Sequence, residues 1–285
     1  MRQTTTPGAA PGRPREARPT GGCLDRPREP LPTRVETLPP LSGAFDDALD
    51  PGLRDLGLEL APDARRIISD HVRLLLAWNA AINLTSIRDP AAIAIRHVVD
   101  SLAAVPLLLS RRAAGANVSA FLDLGSGGGF PGVPLAAVVP VERVALVESV
   151  GKKAAYLATV VEATDLAPRV SVAVARAEDL ARDPGHRERW PVVTVRAVGG
   201  LDELVELAFP LLVPGGMLVA WKGGDIVDET AAALRAVAGM GGGRLEAAPV
   251  RVRGLEGHRL VVVTKRGRTA DAYPRDPAAR RHRPW

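Results

Sequence analysis

The sequence predicts a doubly wound α/β domain preceded by a helical cap, and three observations predict it. From residue 115 onward, short continuous apolar runs alternate with helical stretches; a glycine-rich turn follows the first run; and the segment before them carries apolar residues at helical spacing. Continuous apolar strands alternating with helices indicate a mostly parallel sheet covered on both faces. A chain of 285 residues is long enough for one large or two modest domains. Hydrophobic residues at 46% and charged residues at 24% lie near globular averages, which excludes fibrous, collagenous and wholly disordered classes.

Taken in order, residues 1–40 hold 9 of the 25 prolines and only four Leu, Val, Ile or aromatic residues. Such a segment buries too little apolar surface to offset the entropy of ordering it, so it reads as a disordered Pro/Arg-rich tail. Cys23, the only cysteine, lies within it and reads as an incidental exposed thiol; no intramolecular disulfide or cysteine-built zinc site is possible. Residues 41–114 read as the helical cap. After a short helical stretch near Phe45 to Leu60, positions Ile67, Ile68, Val72, Leu75 and Leu76 follow helical spacing from Pro62, with Trp78 at the helix end. A second helix starts after Asp89, which caps it, with Pro90 at its first position and Ile93, Val98, Leu102 and Val105 on its apolar side.

Residues 115–265 form the α/β domain. Six apolar runs read as strands, at 120–124, 143–147, 170–174, 192–195, 217–221 and 259–264. Residues 244–252 read as a further strand, antiparallel to the last and joined to it by a turn at 254–257. Residues 266–285 are a basic tail with 6 Arg against 2 acids, and residues 1–40 hold 7 Arg against 4; with +5 overall, about −2 falls to residues 41–265. Tails of this kind add salt-sensitive attraction to phosphates without specifying a nucleic-acid partner. Arginine outnumbers lysine 33 to 4, a compositional bias that discounts individual arginines. No apolar run reaches the roughly 18 residues of a bilayer crossing. The best, at 130–141, is interrupted by three prolines, and residues 1–15 hold no apolar signal core, so the cytoplasm is the expected compartment.

The first strand runs into Asp123-Leu124-Gly125-Ser126-Gly127-Gly128-Gly129-Phe130-Pro131-Gly132. Glycines after a first strand let the backbone approach a ligand closely, and nucleotide-like ligands bind there. Glu148 ends the second strand, 25 positions after Asp123, where a carboxylate can accept from both ribose hydroxyls. Together they suggest an adenosine-bearing cofactor. Gly127, Gly129 and Gly132 formally satisfy the dinucleotide fingerprint, but the Asp123 carboxylate would repel a pyrophosphate and attract the amino group of S-adenosylmethionine. A purely structural reading, in which Asp123 caps the turn that the glycines make, stays open. A P-loop is excluded because no Gly-Lys-Ser/Thr follows.

Asn83-Leu84-Thr85, His97-x-x-Asp100-Ser101-Leu102, the Asp123 to Gly132 loop, Glu148-Ser149-x-x-Lys152-Lys153, Arg176-Ala177-Glu178, Arg196-Ala197-Val198, Lys222-Gly223 and Tyr273-Pro274-Arg275 occur in that order. This ordered set resembles the RsmG (GidB) family, the guanine-N7 methyltransferases of bacterial small-subunit ribosomal RNA, over about residues 45 to 275. The resemblance implies a class I (Rossmann-like) methyltransferase fold, S-adenosylmethionine as cofactor, and a guanine in the decoding-region loop of 16S rRNA, alone or in the small subunit, as partner. Carried over position by position, it implies a cofactor site at Gly125, Phe130, Ala177, Glu178 and Arg196, beside Asp123 and Glu148. Gly125 permits close approach, Phe130 anchors the loop and borders the cofactor, Ala177 packs on the adenine, and Glu178 helps orient it. Arg196 ends the fourth strand at the edge where ligands of open α/β domains bind. The chain departs from the family at Trp190-Pro191-Val192, where an acid is usual, and after Arg275, where the ending differs, while the cofactor loop is intact.

Guanine N7 carries an in-plane lone pair and no proton, so methylation there needs no general base, and no catalytic residue is assigned beyond positioning. Cysteine-dependent pyrimidine methylation lacks its nucleophile, and amine methylation lacks its motif, since the fourth strand reads Val195-Arg196-Ala197-Val198. Arg96, His97, Lys152, Lys153 and Lys222 are candidate RNA contacts, with solvated surface charge as the alternative for each. The helical spacing of His97 and Asp100 suits a mutual contact. His71, His186, His258 and His282 show no ligand spacing, and no metal is expected. Two other functions compete: an NAD(P)-dependent oxidoreductase, and a noncatalytic RNA-binding assembly factor.

Overall fold

The apolar runs become seven strands of one sheet: β1 (Ala120–Leu124), β2 (Arg143–Glu148), β3 (Val170–Val174), β4 (Trp190–Arg196), β5 (Leu212–Gly223), β6 (Gly243–Pro249) and β7 (His258–Lys265). The computed structural model describes residues 30–196 and 199–285, so Cys23 and residues 1–29 of the expected tail lie outside it. Strand order is β3-β2-β1-β4-β5-β7-β6, with β7 antiparallel to β5 and β6 and the other pairs parallel. The order reverses between β1 and β4, which places the ligand-binding crevice of a doubly wound sheet at their carboxyl ends. The expected hairpin at the end of the chain is β6–β7, although β6 stops at Pro249 and a longer loop replaces the tight turn.

Successive strand residues point to opposite faces, and both faces are covered. Phe121 faces one core, while Leu122 and Leu124 face the other. The first core gathers α1 (Gly43–Asp55), α2 (Pro62–Ile82), α3 (Pro90–Ile93), a π-helical turn (Ala94–Val99), α4 (Asp100–Leu102), α5 (Val105–Ala113), α6 (Gly132–Val138) and α7 (Gly151–Ala163). On the second face lie α8 (Ala177–Leu180), α9 (Leu201–Ala208), α10 (Val227–Gly239) and the C-terminal α11 (Pro277–His282), whose neighbours Tyr273 and Trp285 pack against that core.

The helical cap is thus a layer of the first core and no separate body, because Phe45, Leu49, Ile68 and Leu75 share one cluster with Phe121, Leu146 and Tyr156. The boundary expected at 114/115 crosses that cluster. Asp89 caps α3 as expected, accepting from the Ala92 N–H at 2.7 Å. The helical stretch Pro90–Ala113 is long and apolar enough to cross a membrane, yet Ile93, Val98, Val99, Leu102 and Val105 are fully buried in the core.

The expectation that residues 1–40 form a disordered tail is corrected for 31–40. Val35 is buried, Leu31, Leu38 and Leu41 pack on the first core, and the Trp78 indole donates to the Pro32 carbonyl at 2.7 Å. Arg73 donates to the carbonyls of Val35, Leu38 and Pro39. A few apolar residues sufficed because α2 supplies the polar partners for their backbone.

Candidate active site

The glycine turn is braced from beneath. Asp123 is fully buried; its Oδ1 accepts from the Thr194 hydroxyl at 2.7 Å, its registered partner on β4, and its Oδ2 accepts from the Gly132 N–H at 3.2 Å. Burial pushes the Asp123 pKa up to about 6, against the hydrogen bonds that favour its charged form. The expectation that Asp123 attracts a ligand's amino group directly is corrected, because a carboxylate with no accessible surface touches no ligand. It fixes the turn instead. Glu148 accepts from the Gly127 N–H at 3.0 Å on one oxygen and from the Val150 N–H at 2.8 Å on the other, which ties the turn to the end of β2. Each carboxylate oxygen keeps a further acceptor direction.

The loop spends its donors on itself. The Gly125 and Ser126 N–H groups both donate to the Val147 carbonyl at 2.9 Å, and Gly129 donates to Ser126 at 2.7 Å. With Gly127 on Glu148 and Gly132 on Asp123, these five N–H groups are turned inward. A pyrophosphate needs such donors turned outward. Gly125 has φ 73°, a conformation that side chains rarely adopt. At Gly132 a Cβ would stand 2.4 Å from Leu146 Cδ2 and 2.7 Å from Asp123 Oδ2, so only glycine lets α6 start this close to β1.

Phe130 is buried between two imidazoles, with ring centroids 4.5 Å from His71 and 4.8 Å from His97, and the Arg196 guanidinium carbon lies 5.4 Å from its centroid. It anchors the loop as expected. The His71 Nε2 donates to the Gly128 carbonyl at 2.8 Å, since a carbonyl only accepts. Burial pushes the His71 and His97 pKa values down to about 4, and the Arg196 charge adds to this.

Arg196 closes β4 as the centre of a network. Its guanidinium donates to Asp100 Oδ2 at 3.2 Å, to the Arg96 carbonyl at 3.2 Å, and to His97 Nδ1 at 3.2 Å. A guanidinium has no acceptor, so Nδ1 of His97 is unprotonated and Nε2–H donates to the Thr85 hydroxyl at 2.7 Å. The other Asp100 oxygen accepts from His258 Nδ1 at 3.0 Å, and the Asp100 carbonyl accepts from the Trp221 indole at 2.7 Å. The expected direct contact of His97 with Asp100 is replaced by a shared partner, Arg196. The π-helical turn rotates the Arg96 and Asp100 groups onto the guanidinium, as such turns do at functional sites.

Two open clefts lie at the carboxyl edge of the sheet. The wider, about 750 Å³, lies over the carboxyl ends of β4 and β5 and is lined by Arg96, His97, Asp100, Arg196, Trp221 and His258 among others. The narrower, about 300 Å³, lies over the ends of β1, β2 and β3 and is lined by Gly125, Ser149, Ala177, Glu178, Pro277 and Arg280 among others. The seven expected site residues therefore separate: Gly125, Ala177 and Glu178 face the narrow cleft, Arg196 the wide one, and Asp123, Phe130 and Glu148 are buried around the loop between their strands. Of the expected RNA contacts, Arg96 and Lys152 are exposed and Lys153 is half-buried. Lys222 is corrected: it is paired with Glu229 at 2.6 Å and donates to the Gly199 carbonyl, which leaves it little freedom to meet a phosphate. Ala197 and Val198 lie outside the described residues.

Sequence reasoning missed Thr194, Trp221, His258 and Arg280. Thr194 was findable as the residue opposite Asp123 once β1 and β4 pair. His258 gave no local signal, since its partner Asp100 is 158 positions away.

The sequence profile of the family described as "rRNA small subunit methyltransferase G" matches residues 65–249. The chain is 46% identical over 210 residues to the Ribosomal RNA small subunit methyltransferase G of Roseiflexus sp. (strain RS-1), covering 74% of this chain and 87% of that protein. It is 38% identical over 221 residues to the protein of the same name from Desulfitobacterium hafniense (strain Y51), covering 77% and 89%. Among solved structures, an O-methyltransferase from Bacillus cereus in complex with SAH superposes with a TM-score of 0.51 at 18% identity, covering 78% of this chain and all of that one (100%). That likeness establishes the α/β methyltransferase fold.

Proposed function

Since this chain belongs to the rRNA small subunit methyltransferase G family, we propose that it transfers the methyl group of S-adenosylmethionine to N7 of a guanine in the decoding-region loop of 16S rRNA, working on the small subunit or its rRNA in the cytoplasm. When bound, S-adenosylmethionine supplies an activated methyl on a sulfonium. The residues present fit it better than a dinucleotide. Acids brace both ends of the glycine loop, five of its N–H groups point inward, and neither feature suits a pyrophosphate. That inward-turned loop at the switch point is the observation that carries the cofactor reading.

In this reading Gly125 lets the cofactor lie against the β1 carboxyl end, Ala177 and Glu178 receive the adenine, and the free acceptor directions of Glu148 serve the ribose. Asp123 and Phe130 act through the loop they hold. The target base enters the wide cleft, where Arg196 and Arg96 meet the purine and its phosphates. Guanine N7 offers a lone pair and releases no proton, so the chain's task is alignment, and the bonds fixing Arg196 supply rigidity for it. The test is paired titrations of the purified chain, calorimetry with S-adenosylhomocysteine and fluorescence with NADH. Saturable binding of the first and none of the second is expected; the reverse would return the oxidoreductase reading.

A further inference from the structure

The last eleven residues, Arg275 to Trp285, reach back to the narrow cleft. Arg275 fixes the segment through paired hydrogen bonds to the fully buried Glu206, at 2.9 and 2.6 Å, and the Trp285 indole donates to the same carboxylate at 2.6 Å. The Trp285 ring fills the space over Gly239, where a Cβ would stand 2.6 Å away. Between these anchors, α11 brings Pro277 and Arg280 into the cleft wall beside Gly125 and Ala177.

Arg280 is nine-tenths buried and donates to Glu178 Oε1 at 2.5 Å and to the Arg275 carbonyl at 2.7 Å, while Glu203 lies 3.4 Å away. Its Nε is buried without a partner. On the other side of the pair, Glu178 Oε2 accepts no hydrogen bond from the described residues, although Glu178 is itself nine-tenths buried and lines the cleft. A carboxylate in this setting has two ways to lose its role: protonation through burial, and rotation away from the ligand. Burial pushes the Glu178 pKa up, while the Arg280 hydrogen bond and charge, a backbone hydrogen bond and the Arg176 charge together bring it below the usual carboxylate value, holding the group charged. The charge-assisted bond to Oε1 also fixes the rotamer of this cleft-lining residue, which leaves Oε2 the carboxylate oxygen without a hydrogen bond from the described residues.

We propose that the C-terminal segment Arg275–Trp285 is a fixed wall of the cofactor site and that Arg280 is a positioning residue, holding Glu178 so that its free oxygen accepts from the exocyclic amine of adenine. The inference rests on the reading that the adenosine end of S-adenosylmethionine occupies the narrow cleft. An adenine amine donates and the corresponding inosine oxygen accepts, so a site built on a held carboxylate discriminates between the two bases.

Calorimetric titration of the full-length chain and its variants with S-adenosylhomocysteine and S-inosylhomocysteine tests this, with thermal melts alongside. Wild type is expected to prefer the adenosyl compound by about tenfold or more, as expected for a lost charge-assisted hydrogen bond. Arg280→Ala should weaken adenosyl binding by about the same factor and collapse the preference, with inosyl binding little changed. In a Glu178→Gln background the same substitution should add no further loss, because Arg280 acts through that carboxylate. Arg280→Lys should restore part of the preference. Wild-type affinity and preference in Arg280→Ala would overturn the proposal, as would additive losses in the double variant or equal losses for both compounds. If the wild-type chain binds neither compound, the cofactor reading itself fails and this inference falls with it.

Discussion

Replacing Arg196 with alanine removes a guanidinium that Asp100, His97 and the Arg96 carbonyl hold at the end of β4, and is expected to lower kcat/KM by about 100-fold with the fold retained. Steady-state kinetics with circular dichroism checks this. Asp100→Ala should be the more damaging to stability, by about 3 kcal/mol, because it strands a guanidinium whose side chain is only 15% exposed; urea denaturation measures it. The two buried imidazoles set a pH dependence. His71 and His97 have folded pKa values near 4, below the unfolded value of 6.5, so the stability they contribute is present above pH 6.5 and lost as pH falls towards 4. Asp123, raised to about 6 from 3.8, runs the other way, since its buried charge is relieved on acidification. Two imidazoles outweigh one carboxyl, and ΔG of unfolding should fall by about 1 kcal/mol per pH unit between pH 6 and 5. His71→Gln should flatten that slope; an unchanged slope would remove His71 from the account. At this scale the sequence indicated which residues matter more readily than what they touch. Asp123 and Glu148 were legible from their positions after apolar runs, but whether an acid faces a ligand or the underside of its own loop depends on backbone geometry that residue types do not encode.

The glycine loop with β1 and α6 is the element on which both clefts depend. Gly132→Ala should destabilise the fold by about 1 to 3 kcal/mol, because the new methyl collides with Leu146 and Asp123 in a packed interior. A drop in Tm with a proportionate loss of S-adenosylhomocysteine affinity is the expected pair of observations. Strands were read well from the sequence because their apolar runs are continuous, a consequence of burial on both faces. The helix after Pro90 was read less well: its apolar spacing gave no sign of the π-helical turn at Ala94–Val99, which the packing of Asp100 and Arg96 against Arg196 selects.

At the scale of the whole molecule, composition misled where partners come from a distance. Residues 31–40 are proline-rich but hold three of the four Leu, Val, Ile or aromatic residues of 1–40, and Arg73 and Trp78 on α2 satisfy their carbonyls, so deleting residues 1–40 should lower Tm by several degrees, as expected for about 1 to 2 kcal/mol in lost hydrogen bonds and packing. Differential scanning calorimetry on the truncated chain decides it. The C-terminal segment follows the same logic, since its arginines are ion-pair partners of Glu206 and Glu178 as well as surface charge. The doubly wound sheet, the glycine turn and the family were legible in the chain; the division of the site into two clefts was not, because it arises from elements far apart in sequence. The most direct measurement incubates the purified chain with S-adenosylmethionine and unmodified small ribosomal subunits, digests the rRNA, and maps methylated nucleosides by mass spectrometry. A single 7-methylguanosine in the decoding-region loop of 16S rRNA is the predicted result. Salt-dependent binding to the subunit with no methylated product, by a chain that binds S-adenosylhomocysteine, would contradict the account and leave a noncatalytic assembly factor in its place.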